Sequence, residues 1–91
     1  MAQPIDESRP RLASGCRWGI STDEAVILFP EGAIRLEGPS RQILERCDGQ
    51  RTFQEIVQAL QMVYTGAGST EIKEDIGDFL EQLKLQRIVD Y

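Results

Sequence analysis

The spacing of the apolar residues changes once along this chain, at Gly38-Pro39. Before that point apolar and polar residues mostly alternate, as in strands, and after it apolar residues recur at intervals of three and four, as in helices. All predicted strands therefore precede all predicted helices. Since 91 residues suffice for one modest core, we predict a single α+β domain over residues 9–91, a three-stranded antiparallel meander followed by a three-helix bundle. Residues 1–8 lack any periodicity and are predicted to be a flexible tail.

Three segments before Gly38 have the character of strands. Residues 12–20 alternate, with Trp18 on the face predicted to be buried. Residues 25–29 are β-branched and aromatic, as in a central strand that is covered on both faces. Residues 33–37 alternate again after a short loop that contains glycine. In a meander this third strand lies at an edge of the sheet, where its backbone can pair with an added strand.

The first two helices carry clear signals at their ends. Pro39 suits the first position of a helix, and Gly49 is predicted to end that helix in the left-handed conformation. Thr52 and Glu55 form a T-x-x-E capping box, which predicts the start of the second helix. Apolar residues then follow at helical spacing: Phe53, Ile56, Val57, Leu60, Val63 and Tyr64.

The third helix is predicted to begin at a cap, Ser69 or Thr70, and to continue to about Arg87. Residues 88–91 are too few for more than an extended tail or a last short strand. The apolar residues predicted to face the core from the third helix are Ile72, Ile76, Phe79, Leu80 and Leu83.

The composition narrows the chemistry that this chain can perform. It contains no histidine, which removes the commonest general base and the commonest metal ligand. Two cysteines, Cys16 and Cys47, cannot alone complete a tetrahedral zinc site. We predict Cys16 to be a small apolar residue in a strand and Cys47 to be the buried end of a helix. The alternative, an enzyme with Cys47 as its nucleophile, lacks an activating base, and Asp48 beside it would raise the thiol pKa. We therefore predict no catalytic residue, no metal and no cofactor.

The charge argues against a nucleic-acid binder. Ten basic and fifteen acidic residues give a net charge of −5, and no basic tract interrupts the sequence. The longest apolar run, Ala25–Phe29, is far shorter than the roughly 20 residues that span a bilayer. The first residues also lack the apolar core of a signal peptide. We therefore predict a soluble, cytoplasmic protein that engages neither nucleic acid nor membranes.

A series of short motifs follows in order through the middle of the chain: Leu28-Phe29-Pro30-Glu31-Gly32-Ala33-Ile34-Arg35-Leu36, Gly38-Pro39, Ile43-Leu44, Cys47-Asp48-Gly49 and Ile56-Val57. This series resembles the PqqD family, whose members take part in the synthesis of pyrroloquinoline quinone, a redox cofactor made from a ribosomal peptide. The resemblance extends from about Arg9 to Tyr91, almost the whole chain. It implies a winged-helix-like fold, in agreement with the order of elements predicted above.

The resemblance also implies a function. Members of the family are peptide-recognition domains and not enzymes, so this protein is expected to bind the precursor peptide PqqA. It would present that peptide to the radical S-adenosylmethionine enzyme PqqE. We expect a monomer, with a dimer as the alternative. Two other functions stay open, which are recognition of the peptide of another ribosomal pathway and DNA binding by a winged helix. The second conflicts with the third helix, which has five acidic and three basic residues.

We predict that the peptide lies in a groove between the third strand and the third helix. Backbone pairing with the edge strand would hold it in register, and pockets on both walls would select its side chains. Acidic groups beside the apolar stripe would favour a basic peptide, although they also suit a solvated helix face, and a charge on the edge strand also guards against aggregation. The predicted peptide-binding residues are Ala33, Ile34, Arg35, Leu36, Glu37, Asp75, Ile76, Asp78, Phe79, Gln82 and Leu83.

Overall fold

Strands come first and helices follow, as the sequence predicts. A computed structural model describes residues 3–19, 25–36, 38–63 and 68–91. The strands in these ranges are β1 (Arg11–Leu12), β2 (Arg17–Trp18), β3 (Ala25–Phe29), β4 (Gly32–Leu36) and β5 (Val89–Asp90). The helices there are α1 (Pro39–Glu45), α2 (Phe53–Val63) and α3 (Ser69–Leu85). The α+β class is confirmed, and β5 is the short last strand.

The main sheet has the order β2-β3-β4, and both pairs are antiparallel. The meander is therefore confirmed, with β3 in the centre and β4 at an edge of this sheet. Ile27 of β3 is fully buried, while Val26 and Leu28 on the opposite face are half-buried. The prediction that both faces of the central strand are covered is therefore wrong, because the helices pack on one face only.

The prediction of one long first strand over residues 12–20 is also wrong. Gly15 has a φ of 89°, and the N–H of Cys16 donates to the carbonyl of Ala13 at 3.0 Å, so the chain turns there. The residues before the turn form β1, which pairs with β5. Those after it form β2, where Trp18 lies opposite Ile27 but remains 37% exposed at the outer edge.

Helix α1 begins at Pro39, as predicted, but ends earlier than predicted. Its last residue is Glu45 and its C-cap is Arg46. Gly49 does have a positive φ, 78°, but it uses that conformation in a separate turn, where its N–H donates to the carbonyl of Pro10 at 3.0 Å. The glycine therefore joins the N-terminal segment, residues 3–10, to the helical half of the domain and does not cap a helix.

The start of α2 satisfies all its backbone donors. Thr52 and Glu55 form the predicted capping box, with each side chain accepting from the other's backbone N–H at 3.2 and 2.9 Å. The N–H of Phe53 donates to the carbonyl of Ser8 at 2.7 Å, and the N–H of Gln54 donates to that of Asp6 at 3.2 Å. Helix α2 is therefore capped jointly by its own box and by the N-terminal segment.

Helix α3 begins and ends at residues other than those predicted. Its N-cap is Gly68, in place of Ser69 or Thr70. It ends at Leu85, because Arg87 has a φ of 62° and closes a Schellman motif. In that motif the N–H of Ile88 donates to the carbonyl of Leu83 at 2.8 Å.

One core joins the sheet to the three helices. Its fully buried side chains include Phe53, Ile56, Leu60 and Leu80. Val63, predicted to lie on the core face of α2, is 46% exposed at the end of that helix, and the predicted position of Tyr64 lies outside the described residues. No helix in the described ranges is both long and apolar enough to cross a membrane.

The N-terminal segment, residues 3–10, crosses the start of α2 and one flank of α3. Pro4 is buried, Asp6 pairs with Lys73 at 2.8 Å, and the Gln3 side chain donates to the carboxylate of Asp78. The flexibility predicted for residues 1–8 stays a prediction, and these are the contacts that a freely moving segment would lose.

Candidate functional site

A pocket opens where the start of α1 meets α2 and α3. Its volume is about 360 Å³. Most of the lining is apolar, with one carboxylate and one hydroxyl group. The lining residues are Pro39, Ser40, Ile43, Leu60, Ile72, Asp75, Ile76 and Phe79.

The structure brings only part of the predicted helical wall to this pocket. Asp75, Ile76 and Phe79 line it. Leu83 is buried in the core, at 4% exposure, and is not part of the lining. Gln82 is exposed and also lies outside the lining. The pocket therefore uses the first half of α3, and peptide contact with Gln82 and Leu83 stays a prediction.

Asp78 faces a different neighbour from Asp75. Its carboxylate accepts a hydrogen bond from Gln3 of the N-terminal segment. Successive residues of a helix are rotated by about 100°, so Asp78 projects roughly 60° away from Asp75 around α3. The acidic flank predicted from the sequence is therefore divided between the pocket and the N-terminal segment.

The predicted strand residues lie beside the pocket and do not line it. On β4, Ala33 and Arg35 are exposed, Ile34 is half-buried against the core and Leu36 is 4% exposed. Glu37 lies outside the described residues. The strand leads into Gly38 and then Pro39, which does line the pocket. The pocket lining therefore begins three residues after the end of β4 in the sequence.

One hydrogen bond fixes which way the backbone of β4 faces. The N–H of Gly19 donates to the carbonyl of Val26 at 2.7 Å, so that carbonyl points away from β4. Val26 lies opposite Arg35 in the register. In an antiparallel pair, hydrogen-bonded and non-hydrogen-bonded pairs alternate. Arg35, and Ala33 two residues before it, therefore direct their N–H and C=O groups to the outer side of the sheet.

A second pocket, of about 570 Å³, lies on the other flank of α3 beneath the N-terminal segment. Seven of its eight lining residues are polar or charged, among them Gln58 and Gln61 of α2 and Glu74 of α3. The charges of Asp6 and Lys73 there already pair with each other at 2.8 Å. The first pocket has a mostly apolar lining and one carboxylate, Asp75, that is without a partner among the described residues, and it is the better candidate for binding a side chain.

Several residues of the first pocket were missed by the sequence argument. Pro39, Ser40, Ile43, Leu60 and Ile72 form its other walls. The helical periodicity placed Ile43, Leu60 and Ile72 on buried stripes, which is correct for all three. Periodicity does not indicate where neighbouring helices diverge, so it gave no sign that these stripes meet at an opening.

Cys47 has the environment of a structural residue. It is 6% exposed, and its thiol donates to the carbonyl of Ile43 at 3.3 Å. Burial, together with the negative charge of Asp48, raises the pKa of Cys47 to about 12. The thiolate that a nucleophile requires is therefore scarce at neutral pH. Asp48 itself accepts from the N–H groups of Gln50 and Arg51, which lowers its pKa and holds the turn after α1.

We expect the substitution Cys47→Ala to lower the free energy of unfolding by about 1–2 kcal/mol, as for a small core truncation. Chemical denaturation of the two proteins measures this difference. Peptide affinity should be nearly unchanged, because Cys47 does not line the candidate pocket. A folded Cys47→Ala protein that has lost peptide binding would contradict a purely structural role.

Comparisons with known proteins agree with the motifs identified in the sequence. Residues 24–89 match the family model described as coenzyme PQQ synthesis protein D (PqqD). The chain is similar to the PqqA binding protein of Methylococcus capsulatus, with 38% identity over 65 residues, which is 71% of this chain and 67% of the relative. With the PqqA binding protein of Pseudomonas aeruginosa, identity is 36% over 83 residues, 89% of this chain and 88% of the relative.

A solved structure has the same fold. It is the solution NMR structure of the PqqD truncation of Methylobacterium extorquens PqqCD, described as a functional and stand-alone recognition element for ribosomally synthesized and post-translationally modified peptides. The TM-score is 0.71 at 30% sequence identity, and the match covers 90% of this chain and 88% of that chain.

Proposed function

The chain belongs to the PqqD family, and we propose that it binds the precursor peptide PqqA and presents it to the radical S-adenosylmethionine enzyme PqqE. In this proposal the protein itself catalyses no reaction. The absence of histidine from the sequence and the raised pKa of Cys47 support a binding role over catalysis. We place this activity in the cytoplasm, where both thiols would stay reduced, in line with the two free cysteines of the structure.

The observation that carries the proposal is that an edge strand is followed, three residues later in the chain, by a residue of the wall of an apolar pocket. The outward N–H and C=O groups of Ala33 and Arg35 match the pattern that an added strand requires. Beyond the end of β4, Pro39 begins the pocket wall. A peptide paired with β4 would therefore be held in register by its backbone and would insert a side chain between α1 and α3.

The charge of α3 favours a peptide over DNA as the ligand. The helix carries five carboxylates and two lysines, Lys73 and Lys84. Binding to duplex DNA depends on cationic side chains that displace counterions from phosphates, and α3 instead has an excess of negative charge. The same excess would speed the approach of a basic peptide.

The direct test is an amide NMR titration of the labelled protein with synthetic PqqA. We expect chemical-shift changes to concentrate on residues 33–36 and on the pocket residues Ser40, Asp75 and Phe79. Shifts that cluster on residues 49–60, with β4 and α3 silent, would place the binding face on α2. The presentation step is checked separately, by comparing the rate at which PqqE modifies PqqA with and without this protein.

A further inference from the structure

We propose that the pocket between α1, α2 and α3 selects a lysine or arginine side chain of the bound peptide. In this proposal the cation pairs with Asp75, and the aliphatic stem packs on Ile76 and Phe79. The inference rests on the proposed peptide-binding function and adds to it the chemical class of the residue that anchors the peptide.

Among the aspartates in the described ranges, Asp75 is distinguished by having no hydrogen-bond or ion-pair partner there. The structure describes five aspartates, and four of them make hydrogen bonds or ion pairs. Asp6 pairs with Lys73, Asp48 with Arg51, Asp78 with Gln3, and Asp90 with Arg11 and Lys84. Within the described ranges, Asp75 has no recorded hydrogen bond or ion pair. It is also the only aspartate of the five that lines the apolar pocket.

The shape and lining of the pocket favour a long side chain with a charged end. Ile43, Leu60 and Ile72 form an apolar floor, which suits a stem of several methylene groups. Lysine and arginine bury such stems while keeping their charge at the rim. A purely apolar side chain would remove water from the Asp75 carboxylate without offering it a partner, which is unfavourable. An acidic side chain would be repelled.

The positive charges near the pocket do not neutralise the negative charge of Asp75. Arg41 pairs with Glu45 at 3.2 Å, and Lys73 pairs with Asp6 at 2.8 Å on the other flank of α3. The amino end of α1 contributes at most about half a positive charge, which is smaller than the full negative charge of Asp75. Glu71, one turn before Asp75 on α3, is exposed and adds to the negative potential.

The test is a double-mutant cycle between the protein and synthetic PqqA, with affinities measured by calorimetry. The protein variant is Asp75→Asn, which removes the charge and keeps the shape. The peptide variants replace each lysine or arginine in turn by norleucine, which keeps an aliphatic stem and removes the cation. The matched control is Glu74→Gln, which makes the same change of charge at the neighbouring position of α3, where the side chain lines the second pocket and not the first.

We expect Asp75→Asn to weaken PqqA binding by about three- to fivefold, the upper range for a partly exposed ion pair. One norleucine peptide should bind the wild-type protein more weakly by a similar factor and bind the Asp75→Asn protein with no further loss. Glu74→Gln should change affinity by less than about twofold.

Two results would count against these proposals in different ways. If PqqA binds the wild-type protein but no norleucine peptide is coupled to Asp75→Asn, the lysine or arginine pocket is wrong and the peptide-binding function stands. If PqqA fails to bind the wild-type protein, the proposed function is wrong, and the assignment of the pocket, which rests on that function, is wrong as well.

Discussion

Replacing Arg35 with proline is expected to weaken PqqA binding by about tenfold or more while the domain stays folded. The N–H of Arg35 points to the outer side of β4, so its loss removes a donor from the proposed peptide strand and not from the pairing with β3. One backbone hydrogen bond contributes about 0.5–1.5 kcal/mol, and the proline ring adds a steric block to an approaching strand. Calorimetry with synthetic PqqA measures the loss.

Two control variants separate the backbone effect from other causes. Arg35→Ala removes the side chain and keeps the N–H, so it should change affinity by less than about threefold. Ile34→Pro removes a donor that faces β3, so it should lower the melting temperature. A folded Arg35→Pro protein that binds PqqA as tightly as the wild type would show that the peptide does not add as a strand to β4.

The parts of the fold that the sequence predicted well depend on local signals. Pro39 begins α1, and the capping box of Thr52 and Glu55 begins α2, because each signal acts within a few residues of itself. The antiparallel pairing of β3 with β4 followed from the short loop between them. Each of these inferences needed no knowledge of distant residues.

The parts that were predicted incorrectly depend on distant contacts. The first strand divides at Gly15 because Leu12 pairs with Val89, near the other end of the chain. Gly49 turns toward Pro10 for a similar reason. Alternation alone cannot show that two halves of one apparent strand pair with different partners, and local end signals cannot show that a glycine serves a remote segment.

The candidate site was predicted in part for the same physical reason. Helical periodicity correctly placed Ile76 and Phe79 beside one another and Asp75 next to them. Periodicity gives the rotation of roughly 60° between Asp75 and Asp78, but it could not show that Asp78 bonds Gln3, a residue in a segment without periodicity. It also gave no indication of the opposite wall, which depends on how α1 lies against α3.

The last prediction concerns that N-terminal segment. A chain that begins at Arg9 is expected to have a free energy of unfolding about 2–4 kcal/mol lower than the full chain. The truncation removes the carbonyl acceptors of Asp6 and Ser8, which each accept an N–H from the start of α2, and helix caps contribute about 0.5–2 kcal/mol each. It also removes the buried ring of Pro4, whereas the exposed pair of Asp6 and Lys73 adds little.

Thermal and chemical denaturation of the two chains test this value, which corresponds to a fall in melting temperature of roughly 10–25 °C for a domain of this size. The control is the full chain with Gln3→Ala and Asp6→Asn. It loses the side-chain contacts but keeps both backbone acceptors, so its free energy of unfolding should fall by less than about 1 kcal/mol. If the truncated chain is as stable as the full one, residues 3–8 behave as the flexible tail predicted from the sequence. If it is destabilised as expected, the carbonyl groups of a segment with no periodic pattern hold the start of α2, and through it the position of Leu60 in the pocket.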